Sequence, residues 1–297
     1  MPTIPPFSRR GFLAAAGASL LPGTLDAAAR LGPSAAPPER PRLKLGLVTY
    51  NLARSWTLDQ VIENCTQSKV EAVELRTTHA HGVEVTLSAE HRKEIKRRFE
   101  SSPVRLASLG SAFEFQSPDP AELRKNIEGA KEYARLAADV GAAGFKVRPN
   151  GFPPRGAVPE ETTLRQIGQA LAEVGTAAAA VGVEVRVEVH GNGTCRLPNI
   201  RKILDHAAHS NVYVCWNSNA EDLFDGGLES NFALVRDKIR FVHLRDLFED
   251  YPFPKLFSLL RDANYSGYCC AEIPESSDPV RVLKYFRALF LADQDCA

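Results

Sequence analysis

From Val183 to Val189 valines alternate with Glu184, Arg186 and Glu188, and His190 continues the polar set. A two-residue period puts the two sets on opposite faces of a strand. The run follows one long helical pattern and precedes another, so it reads as a strand of a parallel α/β sheet, with the valines packed under helices. The same period recurs downstream. Val212, Val214 and Trp216 form one face of Asn211 to Asn219 and leave Asn217 on the other. Val242 and Leu244 oppose His243 and Arg245. Cys269, Ala271 and Ile273 oppose Glu272.

Strand-then-helix units begin near Leu43, Ala72, Val104, Gly144, Val183, Asn211, Ile239 and Gly267. Eight such units close a barrel, so the pattern predicts a single α/β domain, a (β/α)8 barrel over residues 42–297. About 255 residues is an ordinary length for one such barrel and leaves no second domain to place. Helix signals fall between the strands. Asp119 and Pro120 supply a cap and a first-turn proline before Leu123, Ile127, Ala130 and Ala134, and Gly141 ends that run. Ser277, Asp278 and Pro279 open a last helix whose expected apolar stripe is Val282, Tyr285, Phe286 and Leu289.

In a barrel the polar faces point inward, and Glu188, Asn217, His243 and Glu272 each fall near the C-terminal end of a strand, where barrel enzymes build their sites. Two carboxylates, an imidazole and an amide oxygen converging there form a divalent-metal site. Each residue alone is equally well explained by a buried ion pair; the agreement of the registers favours the metal. Asn219 is an alternative ligand to Asn217. His79 and His81, two apart, read as a polar loop, and Glu184 and Arg186 as a structural pair at the barrel floor.

The segments Ala72-Val73-Glu74-Leu75-Arg76, Val187-Glu188-Val189-His190-Gly191, Val242-His243-Leu244-Arg245-Asp246 and Ala271-Glu272-Ile273 resemble the xylose isomerase-like TIM-barrel superfamily, which includes sugar phosphate isomerases and epimerases. His-x-Arg-Asp is similar to the family's usual His-x-Lys-Asp. The resemblance implies a divalent ion, Mn²⁺ first, with Co²⁺, Mg²⁺ and Zn²⁺ as alternatives, held by Glu188, the strand-six residue, His243 and Glu272. Where the family usually carries Asp on strand six, this chain has Asn217. Two glutamates and a doubly charged ion then make a neutral ligand shell, which weakens metal retention and leaves the ion a stronger Lewis acid.

The chemistry implied is proton transfer alpha to the carbonyl of a sugar or polyol substrate through a metal-stabilised enediolate, with Glu188 and Glu272 as the acid–base pair. Lys146, His190 and Arg245 would bind hydroxyls or an anionic group, and Glu74 and Arg76 would form the strand-two wall. An isomerase or epimerase is the leading reading. The same step followed by loss of a beta substituent would make a keto-sugar lyase or dehydratase, and a non-catalytic periplasmic sugar-binding barrel is a third reading.

Ser8-Arg9-Arg10-Gly11-Phe12-Leu13, followed by a short Ala- and Gly-rich run to Leu21, has the form of a twin-arginine export signal. Residues 1–41 therefore read as leader and Pro/Ala-rich linker, with an apolar run too short to span a bilayer, and the mature barrel as periplasmic or otherwise extracytoplasmic. Thirty-six basic and thirty-six acidic residues give a net charge of zero. That balance argues against a nucleic-acid partner, although DNA-repair endonucleases share the barrel, because they need a cationic groove. The six cysteines have no metal-knuckle spacing, and a barrel of this size has enough core without disulfides. A homo-oligomer is left open.

Overall fold

The computed structural model describes residues 41–154 and 157–296. The twin-arginine leader and nearly all of the linker lie outside the described residues. Eight strands alternate with eight α-helices: β1 Lys44–Val48, α1 Leu58–Ser68, β2 Ala72–Arg76, α2 Ala89–Glu100, β3 Arg105–Glu114, α3 Pro120–Val140, β4 Gly144–Arg148, α4 Glu160–Ala179, β5 Glu184–Glu188, α5 Leu197–Ala207, β6 Val212–Asn217, α6 Gly227–Val235, β7 Ile239–Leu244, α7 Phe253–Asp262, β8 Tyr268–Ala271 and α8 Pro279–Asp295. Every strand pairs in parallel with its sequence neighbours, and β8 returns to β1, closing a (β/α)8 barrel.

The alternation that marks the strands also sorts the two cores. Outward residues such as Leu45, Val73, Val185, Val187, Val214 and Val242 are fully or almost fully buried between the strands and the helical ring. Inward residues of the lower barrel, among them Ala72, Cys215, Phe241 and Cys270, form a smaller core of their own. Close packing there requires a small residue on β1, since a Cβ at Gly46 would collide with the Cys270 thiol. The floor is plugged by Arg186, which donates to Glu184 Oε2 through Nε (3.0 Å) and Nη2 (2.7 Å) and lies over the Phe241 ring. All six cysteines are free thiols, and all but Cys296 are buried.

Local signals set the helix ends. The Asp119 carboxylate caps α3 by accepting from the Ala121 amide at 2.9 Å, Pro120 occupies its first turn, and Gly141 closes it in the left-handed region at φ 81°. Thr57 and Gln60 form a reciprocal capping box on α1. The last helix starts as expected at Asp278 and Pro279, but its buried face differs from the expected stripe. Tyr285 and Leu289 are exposed, and Leu283, Phe286 and Phe290 pack inward. The Leu43 amide, just before β1, donates to the buried Gln294 Oε1 at 2.7 Å and ties the end of α8 to the segment leading into the barrel. No helix among the described residues is long and apolar enough to cross a membrane.

Candidate metal centre

Glu188 and Asn217 are the last residues of β5 and β6, His243 is the penultimate residue of β7, and Glu272 follows β8 directly. Their side chains point into the barrel at its C-terminal end. Ligand atoms of Glu188, His243 and Glu272 all lie within 4.8 Å of one another. His243 is fully buried; its Nδ1 stands 3.2 Å from Glu188 Oε1 and 3.7 Å from Glu272 Oε2. The fourth predicted ligand, Asn217, pairs in register with His243 across the β6–β7 ladder. Its Oδ1 is buried without a hydrogen-bond partner.

That orphaned oxygen tests the fit to an ion. A buried acceptor without a donor is costly unless something supplies positive charge or a hydrogen. Two carboxylates, an imidazole and an amide oxygen are the donors a divalent cation takes, so the residues present fit the implied metal. Asn219, the alternative ligand, is engaged elsewhere. Its amide Nδ2 donates to the Val189 carbonyl at 2.7 Å, and its backbone N–H donates to Asp222 Oδ2, fixing the short 3₁₀ turn Ala220–Leu223.

Two further charged groups complete this layer. Lys146, at the centre of β4, donates from Nζ to Glu188 Oε2 at 2.6 Å, with both side chains almost wholly buried. Glu74, on β2, is fully buried and does not line the cavity above; it sits below, with Oε1 3.3 Å from His243 Nε2. That pair is within ion-pair distance but poorly aligned for a hydrogen bond, and it holds the imidazole from beneath. The role expected for Glu74 on the strand-two wall thus belongs by position to Arg76, two residues further along the same inner face.

The two glutamates of the centre are pushed apart in acidity. Burial raises both, but for Glu188 the Lys146 ammonium and His243 outweigh it and hold the carboxyl well below its usual range. For Glu272 burial dominates, helped by the negative Glu188, so its carboxyl titrates above the usual range despite the pull of His243. Burial also disfavours a charged His243, yet Cys215 and the Glu74 and Glu272 carboxylates around it raise it well above an ordinary imidazole.

Above the centre opens a cavity of about 740 Å³ whose lining includes Lys146, Glu188, Asn217 and Glu272 below and Tyr50, Arg76, Arg148, His190 and Arg245 around the mouth. Of the predicted substrate-binding residues, Lys146, His190 and Arg245 line it. Arg245 is half exposed and reaches towards Asn219 Oδ1 at 3.5 Å. Asp246 of the His-x-Arg-Asp segment also lines it, as do Glu221 and Glu249 of the β6 and β7 loops, whose placement no periodicity announces. His79 and His81 are loop clips: His79 Nδ1 meets Thr49 Oγ1 at 2.9 Å, and His81 spans the Arg76 carbonyl and the Val83 amide.

A closed parallel barrel with two carboxylates and an imidazole gathered at its C-terminal mouth is the architecture of a (β/α)8-barrel protein. The family follows from residues 62–289, which match the xylose isomerase-like TIM barrel; the chain belongs to that family. Among solved structures, the 3-keto-D-glucoside 4-epimerase from E. coli superposes with a TM-score of 0.72 at 15% identity, covering 84% of this chain and 100% of that one. An L-ribulose 3-epimerase gives 0.72 at 14% identity over 86% of this chain and 95% of its own. The IOLI protein, solved with a bound zinc atom, gives 0.69 at 15% identity over 84% and 96%. At these identities the likeness establishes the shared fold. No curated protein sequence matches the chain.

Proposed function

We propose that the chain is a divalent-metal-dependent sugar isomerase or epimerase that moves a proton on a carbon next to a carbonyl. The observation that carries this reading is the convergence of Glu188, His243 and Glu272 within 4.8 Å, beside the orphaned Asn217 oxygen, on the floor of a polar cavity. Structural neighbours that are themselves an epimerase of a 3-keto-D-glucoside and an L-ribulose 3-epimerase support the substrate class, and the zinc in the IOLI structure supports a metal.

A divalent ion held by Glu188, Asn217, His243 and Glu272 would polarise the substrate carbonyl and offset the negative charge that builds on its oxygen. The chain itself supplies the proton movement. Glu188, ion-paired to Lys146, accepts the proton alpha to the carbonyl, and Glu272, the other carboxyl of the centre, delivers one. Delivery to the opposite face of the same carbon gives an epimer; delivery to the neighbouring carbon, with the hydroxyl proton moved in turn, gives the isomer. Glu74 holds the His243 ring from below, so that the imidazole keeps its place through the cycle.

The test joins metal content to isotope exchange. Mass spectrometry of the folded protein after exposure to mixed divalent ions should find about one ion per chain, lost in His243→Ala. In D₂O the loaded protein should place solvent deuterium on the alpha carbon of at least one ketose or keto-glycoside, and Glu188→Gln, which lacks the abstracting carboxylate, should abolish it. A wild-type protein that binds sugar without metal and without exchange would replace this reading with a binding protein.

A further inference from the structure

Two residues beyond Glu74, Lys146, Glu188 and His243 on the same inner faces stand Arg76, Arg148, His190 and Arg245, and all four line the cavity mouth. On the β2–β5 side these groups carry buried polar nitrogens with nothing to meet, those of Arg76 and Arg148 being donors. Arg76 Nη1 is buried and has no hydrogen-bond partner, and among the described residues no carboxylate pairs with this guanidinium. Arg148 is bound to Glu114 through Nη2, while its buried Nε is free of any partner. His190 Nδ1 is likewise buried without a partner. The acidic lining residues Glu221, Asp246 and Glu249 lie on the opposite, β6–β7 side, so the mouth is polarised.

We infer that the substrate carries an anionic oxygen group, a carboxylate or a phosphate ester, seated between Arg76 and Arg148 on the β2–β5 wall. Unmatched buried donors are rare in folded proteins because each costs the hydration it gave up. A neutral hydroxyl can satisfy one such donor. A carboxylate or phosphate offers several acceptor sites and neutralises the unpaired Arg76 charge, which a hydroxyl cannot do. Gly110, which pairs in register with both Arg76 and Lys146, shapes the seat: a Cβ there would stand 3.1 Å from Arg76 Cδ and 2.8 Å from Glu74 Oε1. Its bare backbone leaves the Arg76 stem room to lie across the top of β3. The cationic wall faces the acidic one, so the anionic end of a sugar acid or sugar phosphate would be turned to β2–β5 and its hydroxyls to β6–β7.

This inference rests on the proposed sugar-binding reading, and the experiment separates their fates. Calorimetric titration of the metal-exposed full-length protein compares 5-keto-D-gluconate with L-sorbose, D-fructuronate with D-fructose, and D-fructose 6-phosphate with D-fructose. Each pair differs at one terminal carbon. The anionic member of at least one pair should bind about tenfold or more tightly than its neutral partner, an advantage on the scale of a charge-assisted contact. A carboxylate or a phosphate is identified by which pair shows it. Arg76→Gln should cut that advantage to about threefold or less, and Arg76→Lys should restore part of it, with metal content unchanged in both. If no anion outbinds its neutral partner, or if the preference survives Arg76→Gln, the inference is overturned. Metal retention together with binding of neutral keto-sugars would leave the sugar-enzyme reading standing in that case; absence of both would remove the two together.

Discussion

Lys146→Met isolates the electrostatic balance of the centre. Three carboxylates, Glu74, Glu188 and Glu272, face one lysine and one histidine there, and among the described residues the only carboxylate that Lys146 Nζ meets is Glu188, at 2.6 Å from Oε2. Methionine keeps the stem volume and removes the charge. Breaking one partner of a buried pair costs about 3–5 kcal/mol, because the remaining charge stays desolvated. His243 still faces Glu188 Oε1, so the lower end, about 3 kcal/mol, is expected. For a domain of this size that is a fall in Tm of roughly 6–12 °C. The assay is calorimetric unfolding with a chelator and again with saturating Mn²⁺. Anything that binds only the folded chain raises its stability, by about 2.7 kcal/mol at a hundred times Kd. In the variant the ion becomes the main counter-charge of Glu188, so the gain in Tm on adding Mn²⁺ should be larger than in wild type. A variant that unfolds within about 2 °C of wild type in chelator, with an equal gain on metal addition, would refute the reasoning.

Asn217→Asp puts a carboxylate where the orphaned Oδ1 now lies; resistance of bound metal to chelator should rise about tenfold or more, while metal-free stability falls, and a variant unchanged in both would place Asn217 outside the ligand set. Asp222, buried beneath the Tyr251 hydroxyl at 2.8 Å, is pushed up to about 8 by burial, so its contribution is full below the unfolded carboxylate range and is lost as pH rises towards that value. Between pH ~5 and ~7 wild-type stability should therefore fall by about 1.4 kcal/mol per unit relative to Asp222→Asn in urea titrations, and a constant gap would count against it. Gly191 has φ 91° and a Cβ there would run into the backbone of Asn150 and Gly151, whereas Gly182 has φ 74° with open space around it. Alanine should cost about 1–2 kcal/mol at Gly182 and clearly more at Gly191, read as a difference in Tm; equal losses would show that the β4 and β5 loops yield.

The barrel was legible because its strands bury one face under helices, and valine every second residue is the direct trace of that burial. The same trace fixed which way Glu188, Asn217, His243 and Glu272 point, since a strand that turns its valines outward has no choice about the intervening residues. What alternation does not carry is height. Glu74 and Arg76 share an inner face, but only the stagger of the closed sheet decides that Glu74 lies under His243 and Arg76 beside the mouth. Helix rotation is similarly underdetermined where apolar residues are dense. The sequence of α8 offers Val282, Leu283, Tyr285, Phe286, Leu289 and Phe290, and the fold buries Leu283, Phe286 and Phe290 on the face that also carries Gln294, which accepts from the Leu43 amide just before β1. The Asp222–Tyr251 bond, which ties the loop after β6 to the loop after β7, joins residues from two irregular segments and leaves no periodic signal at all.

Height along the strands is also what divides the chemistry. Three inward positions of the metal-centre layer are followed two residues later by a group of different character, Glu74 by Arg76, Glu188 by His190 and His243 by Arg245, while Lys146 and Asn217 are followed by Arg148 and Asn219 of their own kind. The lower set is rich in oxygen acceptors and includes the atoms that can meet a cation. The upper set is rich in nitrogen groups, and Arg76 Nη1, Arg148 Nε and His190 Nδ1 are buried without a partner. A ligand that spans both layers must therefore present acceptors for a cation below and negative charge or acceptors above, which describes a carbonyl-bearing polyol with an acidic end better than a neutral hexose. Two layers of opposite demand, about one two-residue step apart on a rigid sheet, also orient such a ligand before any loop moves.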